Sequence, residues 1–154
     1  MKNVIRIKPH HFVDIITSFS SENIKFEPSP YGHAVHSVSE NIWKNRDVPL
    51  VMELGADDIC EPCRHNINGI CNDIIDTSYR PEAPSSKREW NLIIDKRWCE
   101  RLSLQQGDKL TAREFCQRLR DNTDDITDIY REIPAERTAE RARRLEVGIG
   151  KFLG

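Results

Sequence analysis

The sequence predicts an α-rich α+β fold: a small two-stranded element carrying a cysteine-loop metal site, followed by a helical C-terminal half. Three observations point there. Two short β-rich segments, Val4–Lys8 and Leu50–Leu54, each run directly into residues with metal-binding chemistry. From residue 86 onward the chain reads as successive amphipathic helices with recognisable start signals. Between these regions, three of the five cysteines fall within residues 60–71, spaced C-x2-C-x7-C. The 154 residues suffice for a single domain, 1–154, in which 1–80 form the His/Asp/Cys part and 81–154 the helical part.

In order, Val4–Lys8 alternates and is ended as a strand by Pro9. Proline suits the first position of a helix, and Phe12, Ile15, Ile16 and Phe19 follow at helical spacing. His10, His11 and Asp14 are expected on one face of that helix. Residues 20–32 are polar and turn-rich, a loop. His33–Arg46 reads as a second helix with an apolar stripe of Val35, Val38, Ile42 and Trp43, and its His33 and His36 are ordinary surface candidates. Pro49–Leu54 is the second strand.

The cysteine stretch follows. Cys60-Glu-Pro-Cys63 places two thiols on one tight turn, and Asn66, Asn68 and Gly69 let the backbone turn back to Cys71. Apolar residues are too sparse there for core packing to explain three clustered cysteines, so a metal or iron–sulfur site is expected. A redox-active C-x-x-C wants a helix start within a strand–helix–strand unit, and no such pattern is visible around it. Asp73–Tyr79 reads as a helical turn or two, and Arg80–Ser86 as a linker. Ser86-x-x-Glu89 opens a helix with Trp90, Ile93, Ile94, Trp98 and Leu102 inward. Thr111-x-x-Glu114 opens another, with Phe115, Cys116 and Leu119. Asp124–Ile133 is expected as a short helix. Ala135–Leu153 is the last, with Ala139, Ala142, Leu145, Ile149 and Phe152 inward and Arg137, Arg141 and Arg144 on the solvent face. Cys99 and Cys116 sit among bulky apolar residues and read as buried thiols.

Composition narrows the function. The net charge of −2 gives no basic field for nucleic acid or an anionic membrane. No apolar run reaches the length of a membrane span, and the start lacks a signal-peptide core. A cytoplasmic location is expected, where cysteines serve as ligands more readily than as disulfides. No phosphate loop, dinucleotide fingerprint or nucleophile elbow is present.

Two stretches carry a resemblance. Ile5-Arg-Ile-Lys-Pro-His-His-Phe and Gly55-Ala-Asp-Asp-Ile-Cys-Glu-Pro-Cys with Cys71 resemble the domain of unknown function 1284 family, small bacterial and archaeal proteins associated with an iron–sulfur centre. A weaker match runs from Asp95 to Leu110. The resemblance spans roughly the first three quarters of the chain. It implies Cys60, Cys63 and Cys71 as ligands of an iron–sulfur cluster. Where the family has a cysteine shortly after its His-His pair, this chain has Asp14.

Three thiolates leave one position to fill. Asp14 there favours iron, because a hard oxygen suits iron better than structural zinc. A histidine there (His10, His11 or His65) makes a Cys3His zinc site the alternative. Two classes of function follow. One is a metal-binding module. The other is an enzyme using an open metal position, with His10 or His11 moving protons.

Overall fold

The computed structural model describes residues 3–154. The chain is α-rich α+β, with α1 (Pro9–Ser18), α2 (Val35–Lys44), α3 (Lys87–Leu102), α4 (Ala112–Asn122) and α5 (Ala135–Leu153) among the described residues. The two expected strands, β1 (Ile5–Ile7) and β2 (Pro49–Met52), are present and run parallel, with Ile5 opposite Leu50 and Ile7 opposite Met52. A third strand was not expected. β5 (Lys109–Thr111) pairs antiparallel with β2, so the small sheet has order β1-β2-β5. Three residues are too few to show alternation in sequence, and β5 forms because the turn at Gly107 returns the chain along β2, with Gly107 N–H donating to Met52 O (2.9 Å). A separate hairpin joins β3 (Asn66–Ile67) to β4 (Ile70–Cys71).

Because β1 and β2 are parallel, the chain crosses over between them through α1 and α2. The sequence did not suggest this strand–helix–strand unit. The C-x-x-C pair does not lie at a helix start within it, but in turns beyond the end of β2. Ile5, Ile7, Leu50, Met52 and Leu110 are buried, and the core continues through Phe12, Ile16 and Phe19 of α1. It extends to Trp90, Trp98, Leu102, Phe115, Leu119, Leu145 and Ile149 of the helical half, while Ile93, expected inward, is only half-buried.

The helix starts follow their capping signals. The Ser86 and Thr111 hydroxyls accept the N–H groups of Glu89 (3.2 Å) and Glu114 (3.1 Å). α1 and α5 pack so closely that a Cβ on Gly148 would run into the carbonyl of Ile16. Four expectations need correction. Asp73–Tyr79 and Asp124–Ile133 are turns and irregular chain rather than helices. On α5, Thr138 is buried while Ala139 is exposed. Arg141 is not a solvated arginine: it lies over the Tyr130 ring (4.7 Å to the centroid) and pairs with Asp14. No helix among the described residues is long and apolar enough to cross a membrane.

Candidate metal and ligand site

The first N–H groups of α1 need acceptors, and the helix lacks a side-chain cap of its own. Two carboxylates from elsewhere in the chain supply them. Asp95 on α3 accepts His10 N–H (2.7 Å) and, through both oxygens, His10 Nδ1 (2.8 and 2.9 Å). Asp57 accepts Lys8 N–H (2.7 Å) and His11 Nδ1 (2.7 Å) on one oxygen, and Ile59 and Cys60 N–H (3.0 Å each) on the other. Both carboxylates are fully buried, at the positive end of the helix dipole. Neighbouring Asp58 pairs along the outer edge of β1, accepting Arg6 N–H (2.9 Å) and donating its own N–H to Arg6 O (3.0 Å). These bonds fix the cysteine stretch beside the start of α1.

The C-x-x-C turn closes with Cys63 N–H on Cys60 O (2.9 Å), and Asn66 Nδ2 donates to the same carbonyl (3.1 Å). Asn68 and Gly69, with φ of 52° and 82°, form the two-residue hairpin loop typical of Asn-Gly. The resulting register sets Cys71 opposite Asn66. The loop before α2 is tied to this turn by Arg64 N–H on Tyr31 O (2.9 Å) and Ala34 N–H on Ile59 O (3.0 Å).

Together these segments enclose a cavity of about 390 Å³, whose wall includes Cys60, Cys63, Cys71, His11, His33 and His65. The three clustered cysteines are half-buried free thiols. Donor atoms of His11, Asp57 and Cys60 lie within 4.8 Å of one another. Asp57 already accepts four hydrogen bonds, so ligating a metal would cost it some of them. Its role is to orient: a carboxylate can only accept, so the neutral His11 ring carries its hydrogen on Nδ1 and presents Nε2 as the ligand atom. Burial alone would raise the Asp57 carboxyl, but the His11 ring and the N–H groups of Lys8 and Cys60 hold it well below the usual carboxylate range. Burial, and then the Asp57 charge, push the Cys60 thiol up to about 11. Such a thiol is a poor nucleophile at neutral pH and becomes a thiolate when a cation binds it.

The expected single face of His10, His11 and Asp14 divides three ways. Successive residues turn about 100° around a helix. His10 faces Asp95 and is buried away from the cavity, while His11 faces the cavity. Asp14 is exposed and pairs with Arg141 (3.0 Å), so it stands apart from the cysteines. Its oxygen is drawn to the guanidinium because α5 packs along that side of α1. His65 does line the cavity, with Nδ1 donating to Asn72 Oδ1 (3.0 Å). Cys99 and Cys116 are buried in the core, their thiols pushed up to about 11 and about 12, foremost by burial. Asp57, Asp95, Lys8 and Asn91 were not singled out from the sequence. Asp95 left a signal: an acid among Trp90, Ile94 and Trp98 lies on the buried stripe of its helix and needs a partner. No family model, curated protein or solved structure matches this chain.

Proposed function

We propose that this is a metal-binding protein whose iron–sulfur cluster is held by Cys60, Cys63 and Cys71, with His11 Nε2 at the fourth position. The observation that supports the reading is that Cys60, Cys63, Cys71 and the carboxylate-oriented His11 line one cavity; Cys60 alone of the three thiols lies within 4.8 Å of the His11 and Asp57 donor atoms. A cluster supplies electron transfer or an iron that binds a substrate. The chain's own part is to set three thiols by the 60–63 turn and the 68–69 hairpin, to aim His11 through Asp57, and to shield the centre with the loop before α2. The motif resemblance supports iron. Structural zinc in the same Cys3His set is the second reading, favoured by the donor types themselves.

The test is reconstitution with iron and sulfide under anaerobic conditions, followed by visible absorption of wild type, His11→Ala and Asp14→Ala. His11→Ala is expected to form a cluster that is lost faster, and Asp14→Ala to match wild type. A colourless wild type that takes up zinc instead establishes the second reading. A spectrum unchanged in His11→Ala removes His11 from the site.

A further inference from the structure

The cavity contains two polar side chains that the metal reading leaves without a task. Lys8 is 5% exposed and Asn91 is 7% exposed, and both belong to the cavity wall. Within the described structure neither the Lys8 ammonium nor the Asn91 amide has a hydrogen-bond or ion-pair partner. Neither polar tip is sealed from solvent, so both open into the cavity, where a ligand can reach them; the Lys8 charge also acts on the Cys60 thiol. The charges around them are mainly positive. Lys87 and Arg88, at the start of α3, also line the cavity, and the Asp73 carboxylate on the same wall pairs with Lys87 (3.5 Å). Much of the remaining wall is apolar: Val35, Leu54, Ile59 and Leu92.

We propose that this cavity binds a small organic carboxylate, its anionic head held by Lys8 and Asn91 and its apolar body against Val35, Leu54, Ile59 and Leu92. The proposal rests on the metal reading only in placing the ligand beside the centre. One carboxylate oxygen accepts from the ammonium and the other from the amide N–H, so a single anionic head serves both donors. Phosphate would answer the charge but leave the apolar wall without a partner.

The experiment is calorimetric titration of the metal-loaded protein with butyrate, butyramide and inorganic phosphate, for wild type, Lys8→Met and Asn91→Leu. Metal content and near-ultraviolet circular dichroism of each protein are measured alongside. Butyrate is expected to bind wild type saturably, and butyramide and phosphate to bind far more weakly. Lys8→Met, with its fold and metal retained, is expected to weaken butyrate about tenfold to a hundredfold; Asn91→Leu weakens it by a smaller factor. Lys8→Arg restores part of the affinity. Butyramide or phosphate binding as tightly as butyrate overturns the proposal. So does unchanged butyrate affinity in Lys8→Met, or a Lys8→Met protein that loses metal while keeping butyrate, since Lys8 would then serve the thiolates. A metal-loaded wild type that ignores butyrate ends this proposal and leaves the metal reading standing. A wild type that takes up no metal ends the metal reading, and its butyrate titration still decides the carboxylate site.

Discussion

Asp57 and Asp95 are the residues on which the site turns, because each ties a histidine of α1 to a different part of the chain. Asp57→Asn keeps the shape but weakens the hold on His11 Nδ1, and metal affinity is expected to fall about 10–100-fold, measured by competition with a chelator. Asp95→Ala leaves the His10 ring in the core without its partner. A cost of about 3–5 kcal/mol is expected, seen as a large drop in melting temperature. The pair also sets a pH dependence. Burial would lower the His10 pKa, but Asp95 outweighs it and the folded value lies above 6.5. The folded state then binds a proton that the unfolded chain releases. Its stabilisation is full below about pH 6.5 and is lost as pH rises through the folded value. Melting temperatures between pH 6 and 9 should therefore fall in wild type and fall less in Asp95→Asn. Asp14, exposed and paired with Arg141, is worth at most about 1 kcal/mol, and Asp14→Ala should leave metal binding intact. The histidines were legible in the sequence, but their directions were not. Those depend on carboxylates 46 and 85 residues away, which no local spacing encodes.

At the scale of elements, the helices with strong local signals are those the sequence placed well. Ser86 and Thr111 cap α3 and α4 as their S/T-x-x-E patterns indicate. Residues 124–133 offer apolar Ile126, Ile129 and Tyr130 to the core while remaining turns, because Arg97 and Arg101 bond their carbonyls in place of a helical ladder. The parallel pairing of β1 and β2 is a long-range choice, invisible in two segments read separately. The chain reversal before Cys71 was legible through Asn68-Gly69; the pairing of residues 66–67 with 70–71 on either side of it was not. Gly69→Ala places a side chain at φ 82° and is expected to cost about 1 kcal/mol. The effect should appear as faster metal loss more than as a lower melting temperature, since this loop has little core of its own. Gly148→Ala is the contrasting case. It forces α1 and α5 apart over the Ile16 carbonyl, and a loss of about 1–3 kcal/mol is expected in chemical denaturation with no direct effect on the thiols.

For the whole molecule, a single core joins the sheet to all of the C-terminal helices, so the cysteine-bearing part and the helical part are continuous. Trp98 lies at 0% exposure, with its indole N–H on the Tyr130 hydroxyl (3.1 Å). Trp98→Ala should cost about 3–5 kcal/mol. The α-rich α+β class was legible because amphipathic periodicity and capping are local properties. The cavity was not, because it is assembled from β1, the turns after β2, the loop before α2 and the start of α3. The central claim is that Cys60, Cys63 and Cys71 hold one iron–sulfur centre, and the most direct measurement is iron and acid-labile sulfide in anaerobically purified wild type and Cys63→Ser. The account predicts a coloured wild type containing both iron and sulfide, and a folded Cys63→Ser protein depleted of both. Iron and sulfide retained in full by Cys63→Ser, or absent from wild type, would contradict it.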